Sequence, residues 1–493
     1  MNTQYDAVIV GAGFGGMGAA IQLNRLGYEN LLILERESDV GGTWHVNRYP
    51  GLAVDIPSAT YSYSFEPNPY WSRLFAPGAE LKRYAGHVAD TYDLRRYLRF
   101  GTVVTGAVWD AEQAHWTVSR QDHAPVTAKY LLTATGFLSQ PKRPEIRGIG
   151  AFAGKVIHTT DWDDSYDLVG KRAAVIGTGA TAVQLIPEVA KIAAELTVYQ
   201  RTPIWVSPKL DFPVPEAVQR AFAALPFTQR IARLAGTAVL EAMMVSGVLH
   251  YRQAPLVNKI AEQWCRAHLR RQVRDPELRR KLTPGYTFGC KRPTFSNDYY
   301  PTFAEDHVHL ETNSIERIDS SGIVTADGKR RDIDVLLLAT GFDLWEANFP
   351  AIEIIGRDGR NLGAWWRENR FQAYQGVAVP AFPNFISLNS PYSYSGLSYF
   401  TTIETQMRHI NRLFTAMRRR GATVFEVTAR SNEEFLARMT EQVRDSIFVL
   451  GQCATANSYY FNPHGEATLL RPSSTRNAFQ EAASFPLTDY SYA

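Results

Sequence analysis

Cysteine is scarce in this chain. Only Cys265, Cys290 and Cys453 occur among 493 residues, and no two of them are close in sequence. They therefore cannot build a disulfide framework, a CxxC redox pair or a zinc cluster within one local motif. We expect no metal site, and the pattern fits a reducing compartment, the cytoplasm.

An excess of one charge and a long apolar run are missing as well. The net charge is only +3, which predicts no nucleic-acid partner, and the amino terminus lacks the pattern of a secretory signal. The most apolar stretch, Leu234 to Leu249, contains Glu241 and is too short to span a bilayer. We predict no membrane span and interpret the stretch as a core or lid helix, weak membrane-surface contact being the less favoured alternative. Nothing in the sequence indicates an oligomeric state.

What the chain does contain is a motif that occurs twice. A short β-branched run, a glycine-rich turn and a helix-forming segment begin their turns at Gly11 and again at Gly177, 166 residues further on. This separation is typical of two dinucleotide-binding domains. The turn residues that would let a pyrophosphate approach the backbone are Gly11, Gly13, Gly15 and Gly16 in the first copy, and Gly177, Gly179 and Ala182 in the second.

The residues that follow each turn predict different nucleotides. Glu35 lies 24 positions after Gly11, where a carboxylate accepts from ribose hydroxyls and repels a 2′-phosphate, so the first site suits FAD or NAD. The strand after the second turn ends instead in Arg201 and Thr202, which can bind the 2′-phosphate of NADPH. A structural glycine turn and a surface arginine are the alternatives.

Two such sites imply an electron path from NADPH to a flavin. The lack of a CxxC pair excludes the disulfide reductases, in which cysteines are the next electron acceptor. Molecular oxygen is then the simplest acceptor.

The segment from Phe152 to Asp163 supports this path, because it matches the pattern FxGxxxHxxxW(P/D) and resembles that of the Baeyer-Villiger monooxygenase family. Its matching residues are Phe152, Gly154, His158 and Trp162. Related N- and S-oxidising flavin monooxygenases tend to have an aromatic residue and lysine where this chain has Trp162-Asp163. The resemblance extends over nearly the whole chain, through Gly41 to Trp44, Asn47 to Gly51, Asp55, Gln200 to Pro203 and Gly289 to Pro293.

The resemblance implies that NADPH reduces FAD and that a C4a-peroxyflavin converts a ketone to an ester or lactone. Arg292 would stabilise the peroxide anion, Asp55 would orient Arg292, and Lys291 would join Arg201 at the 2′-phosphate. FAD would also contact Gly42, Thr43 and Trp44. The alternatives are an N- or S-oxygenating flavin monooxygenase and, less favoured, a non-catalytic nucleotide-binding flavoprotein.

Four further segments concern a hinge, a loop past the flavin and departures from the family. We interpret His158 and Trp162 as residues that fix a hinge rather than as acid or base. Ser390 to Leu397 resembles the family's loop past the flavin, an aromatic surface turn being the alternative. The chain departs from the family at Leu52-Ala53-Val54. It departs again at Asn457 to Tyr460, a segment in which the family often has tryptophan after serine.

These motifs predict an α/β fold with two Rossmann-like domains and a helical insertion in the second. The FAD-binding domain comprises 1–140 and 371–493, and the NADP-binding domain comprises 150–210 and 286–342. The helical insertion is 211–285, and the linkers are 141–162 and 343–370.

Overall fold

The structure, a computed structural model, describes residues 4–394 and 396–493. Its strands are β1 Gln4–Val10, β2 Leu31–Leu34, β3 Leu98–Arg99, β4 Val104–Asp110, β5 His115–Arg120, β6 His123–Thr133, β7 Lys155–His158, β8 Arg172–Ile176, β9 Glu195–Tyr199, β10 Val206–Ser207, β11 Thr294–Phe295, β12 Val308–Glu311, β13 Ile315–Ile318, β14 Gly322–Thr325, β15 Arg330–Asp332, β16 Val335–Leu338, β17 Glu353–Ile355, β18 Phe385–Ser387, β19 Phe425–Val427 and β20 Tyr490–Tyr492. Its helices are α1 Phe14–Arg25, α2 Thr43–Val46, α3 Gly78–Thr91, α4 Ala180–Ala190, α5 Glu216–Ala224, α6 Pro226–Met244, α7 Pro255–Gln272, α8 Pro276–Leu282, α9 Tyr299–Thr302, α10 Leu362–Glu368, α11 Tyr399–Arg420, α12 Ala429–Val443, α13 Ile447–Leu450 and α14 Thr475–Ser484.

The first large sheet has eight strands in the order β17-β4-β5-β6-β1-β2-β3, and β18 pairs with β6. Its central strands β2, β1 and β6 are parallel, so that Val10 stands beside Leu34 on one side and Thr133 on the other. The carboxyl ends of these strands therefore meet at one edge, where α/β sheets bind their ligands. Helices α1 and α11 contact each other over this sheet and bury its core.

The second large sheet has five strands in the order β12-β9-β8-β16-β7. All of its pairings are parallel. In it β8 leads through α4 to β9, as β1 leads through α1 to β2 in the first sheet. The predicted fold of two Rossmann-like units is confirmed, whereas the exact domain bounds stay a prediction.

The predicted linker 343–370 contains a strand that the sequence analysis did not anticipate. Strand β17 of this segment pairs in parallel with β4, which places it at the edge of the first sheet. A strand of three residues is too short to show a periodic apolar pattern, so the sequence contained no clear signal for it. Likewise β7, inside the predicted linker 141–162, is an edge strand of the second sheet.

The segment 211–285 is helical as predicted, with α5 to α8, but its most apolar helix differs from the prediction. Helix α6 continues through a π-helical turn, Val245–Leu249. Together they form a helix of 24 residues from Pro226, long and apolar enough to cross a membrane by length and composition alone. The expectation that it is too short was wrong because the helix begins eight residues before Leu234. The interpretation as a core helix was also wrong, since only 11% of its most apolar window is buried.

Candidate active site

The first glycine turn follows β1 and is shaped by close backbone contacts. Gly11 has φ +105°, and a Cβ there would lie 2.5 Å from the carbonyl oxygen of Ala134. A Cβ on Gly16 would collide with the carbonyl of Gly11, and one on Gly13 would lie 3.6 Å from Cα of Gly42. The turn thus leaves backbone N–H groups open at the start of α1, which is the geometry that receives a pyrophosphate.

The predicted nucleotide residues around this turn lie together. Glu35 is buried at the end of β2, and its carboxylate accepts from the backbone N–H of Ala12 at 2.6 Å and of Glu37 at 3.0 Å. Gly42 and Thr43 begin α2 beside the turn, and the indole of Trp44 donates to the hydroxyl of Tyr61 at 3.3 Å. Gly15 lies close to the Tyr399 hydroxyl. These contacts fix the Glu35 carboxylate beside the turn, where a ribose could donate to its remaining lone pairs.

The second glycine turn repeats the geometry of the first. Gly177 has φ +118°, and a Cβ there would collide with the carbonyl of Ala339. Gly179 precedes α4, and Ala182 is fully buried within it. The hydroxyl of Thr178 donates to the carbonyl of Thr202 at 2.7 Å, which fixes the turn to the end of β9.

Two cations lie beside this second turn. Arg201 is exposed after β9. Burial and, to a smaller extent, the charge of Arg201 together lower the pKa of Lys291 to about 8. Such mutual repulsion marks a place where an anion would be stabilised, and a 2′-phosphate fits it. Thr202 accepts at its hydroxyl from the side-chain amide of Asn457 at 2.8 Å.

Asp55 and Arg292, 237 residues apart, form a forked ion pair. Nε and Nη2 of Arg292 donate to the two carboxylate oxygens of Asp55 at 2.7 and 2.9 Å. Burial alone would raise the pKa of Asp55, but the charge and hydrogen bonds of Arg292 lower it below its usual value. Asp55 in turn raises the pKa of Arg292 well above its usual value, against the effect of burial. Both groups therefore stay charged at any physiological pH.

Arg292 also contacts tyrosines whose position the sequence did not reveal. Its Nη1 donates to the hydroxyl of Tyr394 at 2.9 Å, and that hydroxyl donates to the carbonyl of Leu397 at 3.1 Å. Burial raises the pKa of Tyr460 to about 12, although Arg292 acts in the opposite direction. Within 390–397 the structure describes every residue except Ser395, and all of the described residues are buried. The alternative of an aromatic surface turn was therefore wrong.

The segment that carries Asp55 connects the two nucleotide-binding units. The Tyr49 hydroxyl donates to Gln184 of α4 at 3.0 Å, and Gln184 donates back to the carbonyl of Ala53 at 2.9 Å. A Cβ on Gly51 would lie 2.5 Å from the carbonyl of Gln184. These contacts join the segment of Asp55, the partner of Arg292, to the helix that begins at the second glycine turn.

The chain is similar to known oxygenases over most of its length. Residues 5–226 match the family of pyridine nucleotide-disulphide oxidoreductases. A Baeyer-Villiger monooxygenase of Pseudomonas aeruginosa is 37% identical over 456 residues, which are 92% of this chain and 85% of the relative. Another, of Streptomyces coelicolor, is 35% identical and covers 98% of this chain and 91% of its own.

The chain belongs to the Baeyer-Villiger monooxygenase family. Solved structures agree with this assignment. The closed crystal structure of cyclohexanone monooxygenase has a TM-score of 0.88 at 28% identity and covers 100% of both chains. Oxidized steroid monooxygenase bound to NADP has a TM-score of 0.87 at 31% identity and covers 99% of each chain. The predicted family and the predicted class of enzyme, a flavoprotein monooxygenase, are confirmed.

The residues of the Baeyer-Villiger pattern lie in and around β7. His158 is buried, its Nδ1 accepts from the backbone N–H of Thr160 at 3.2 Å, and burial with the charge of Arg143 lowers its pKa to about 4. A neutral histidine fixed in this way fits a structural role better than acid or base work near pH 7. Phe152 and Trp162 are buried too, and Gly154 leaves room for the ring of Phe152. The hinge role stays a prediction.

A disulfide joins Cys290 to Cys453 across 163 residues of sequence. It connects the segment of Lys291 and Arg292 to the carboxyl-terminal segment that carries Tyr460. The expectation of a reducing compartment rested on cysteines too far apart in sequence to form a local disulfide, and this long-range pair removes that support. Cys265 is free and buried.

Proposed function

We propose that the enzyme uses FAD, NADPH and molecular oxygen to convert a ketone to an ester or lactone. The observation that carries the proposal is the forked ion pair of Arg292 and Asp55, whose segment is hydrogen-bonded to the helix of the second glycine turn. The organic substrate is a small molecule, and molecular oxygen is the second substrate.

The ion pair supplies what ketone oxidation requires and oxidation of amines or sulfides does not. An oxygen nucleophile that attacks a carbonyl carbon carries negative charge, and the charge passes to the former carbonyl oxygen in the tetrahedral adduct. A cation held in place before the reaction stabilises both states without reorganisation. Asp55 and Tyr394 hold the guanidinium of Arg292 from two directions, so its orientation is fixed.

The cofactors fit the two turns for reasons of shape and charge. The first turn, with Glu35 at the ribose position, suits FAD, and the second, with Arg201 and Lys291, suits the 2′-phosphate of NADPH. A related solved structure, of a protein named OTEMO, is a complex with FAD and NADP. When bound and reduced by NADPH, the flavin would supply the electrons that activate molecular oxygen. This chain's own residues bind the nucleotides and hold a positive charge where the oxygen attacks.

A substrate comparison tests the proposal. The holoenzyme should consume NADPH with members of a ketone panel and form esters or lactones that contain one atom from isotopically labelled dioxygen, as product mass shows. Amines and sulfides should react more slowly, because Arg292 favours the anionic nucleophile.

Oxidation of amines or sulfides alone would instead establish an N- or S-oxygenating enzyme. NADPH oxidation that no substrate accelerates would contradict the proposal in favour of a non-catalytic flavoprotein.

A further inference from the structure

Helix α6 directs the side chains of Gln229, Arg233 and Glu241 toward the protein. Nη1 of Arg233 donates to the carbonyl of Ser62 at 2.7 Å, and its Nη2 lies 3.8 Å from a carboxylate oxygen of Glu404. Glu241 accepts from the backbone N–H of Thr475 at 2.6 Å. The buried amide of Gln229 donates to the carbonyl of Asn68 at 2.6 Å. These contacts attach α6 to the first sheet's unit by its polar face.

Other side chains of α6 are apolar and exposed. Ile231, Leu234 and Val239 are 60%, 68% and 61% exposed, and Phe227 and Met243 continue the same surface. A surface helix of a globular protein normally has the reverse arrangement, with its apolar stripe on the core. A helix that is apolar toward solvent indicates a docking surface.

A second exposed stripe follows on α7. Leu256, Ile260 and Trp264 stand four residues apart, so they share one face of the helix, and Ile260 is 68% exposed. The π-helical turn Val245–Leu249 contacts both α6 and α7. The apolar surface therefore extends over two successive helices.

The segment that carries this apolar surface is rich in basic residues. The segment 211–285 contains twelve Lys and Arg against six Asp and Glu, a net charge of +6, whereas the whole chain has +3. The rest of the chain is thus net negative. Exposed cations of the segment include Arg220, Arg230, Lys259, Arg270 and Arg274.

We propose that α6 and α7 dock the enzyme on an anionic lipid bilayer, with their exposed apolar side chains at the boundary between headgroups and acyl chains. An apolar face flanked by Lys and Arg is what such a surface binds. The helix lies on the membrane and does not cross it, because Arg233 and Glu241 hold its inner face to the rest of the protein. A second copy is the less fitting occupant, since a twofold interface would bring two segments of like charge together. This proposal goes beyond the oxygenase reaction and does not depend on it.

Vesicle co-sedimentation of the holoenzyme tests the proposal. We expect binding to vesicles of phosphatidylcholine and phosphatidylglycerol, and little binding to phosphatidylcholine alone. Leu234→Glu should lower the affinity for the anionic vesicles at least about tenfold, because it places a charge in the apolar face. The matched control is Val169→Glu, which changes an apolar residue of similar exposure, 63%, outside the segment and should leave binding unchanged.

The charge contribution is tested separately. Arg230→Gln should weaken binding roughly fivefold, and added salt should do the same, because each basic residue near an anionic surface contributes about 1 kcal/mol. Bound flavin, measured by absorbance, shows that each variant is folded.

No binding to either vesicle would overturn the proposal, as would equal effects of Leu234→Glu and Val169→Glu. A concentration-dependent dimer of the wild type that Leu234→Glu dissociates would assign the face to a second copy instead. Because none of these measurements uses a ketone, they can fail while the oxygenase activity stands.

Discussion

The two glycine turns have the same backbone geometry, but the side chains beside them have opposite charges. Gly11 and Gly177 both have a positive φ, and each faces the carbonyl of an alanine in an Ala-Thr-Gly segment, Ala134 or Ala339. Beside the first turn stands the carboxylate of Glu35, and beside the second stand Arg201 and Lys291. We propose that the backbone of each turn positions a pyrophosphate, whereas the neighbouring side chains select the nucleotide.

Substituting each turn glycine should have the largest effect and should separate the two sites. Gly177→Ala should weaken NADPH binding at least about a hundredfold while FAD stays bound, because Cβ is strained at this φ and meets a carbonyl. Gly11→Ala should instead release FAD. Flavin absorbance after gel filtration and the KM for NADPH measure the two losses.

The control is Gly86→Ala in α3, where a Cβ meets nothing within 4 Å. Loss of both nucleotides in both variants would contradict separate sites.

The disulfide between Cys290 and Cys453, next to Lys291 of the second site, gives the next prediction. Cys453→Ser should lower the free energy of unfolding by about 2–4 kcal/mol, because the bond to Cys290 closes a long loop. Denaturant titration without reductant measures it. A reductant should destabilise the wild type but not the variant, and an equal response of both would show that the bond does not form.

Removing one cation should change nucleotide preference by a smaller factor. Arg201→Gln should raise the KM for NADPH about 10- to 100-fold, since a charge-assisted bond to phosphate is lost. The KM for NADH should hardly change. Arg430→Gln alters an exposed arginine paired with Glu434 and should affect neither. An equal rise for both nucleotides would exclude a phosphate contact for Arg201.

The smallest effect concerns pH. Lys291 is charged below its pKa of about 8 and loses its charge as pH rises through that value. The KM for NADPH should therefore increase between pH 7 and pH 9 by less than about tenfold, and that for NADH should not. Lys291→Gln should remove the difference, and a pH dependence that persists in this variant would assign it to another group.

Local features of the site could be predicted from the sequence, and long-range ones could not. Glycine turns, Glu35 and Arg201 are specified by the strand, turn and helix that carry them, so their spacing was sufficient. The contact of Arg292 with Asp55 came from family resemblance, because no local pattern joins residues 237 apart. The hydrogen bond from Arg292 to Tyr394 and the disulfide from Cys290 to Cys453 had no signal in the sequence.

Helix α6 shows the same limit for surfaces. Its apolar composition was evident, but composition does not state which face packs on the protein. The polar residues Gln229, Arg233 and Glu241 determine which face packs on the protein, because the side chain of each forms a hydrogen bond with the first sheet's unit. Their contacts leave the apolar face outside.

The central claim is that Arg292 stabilises negative charge during ketone oxidation, and one variant tests it directly. Arg292→Ala with full FAD content should lose ketone oxidation by at least about a hundredfold, because a preorganised cation at a developing oxyanion contributes about 3–4 kcal/mol. Residual oxidation of a sulfide should persist, and NADPH should still reduce the flavin. Ketone oxidation at the wild-type rate in that flavin-loaded variant would contradict the account.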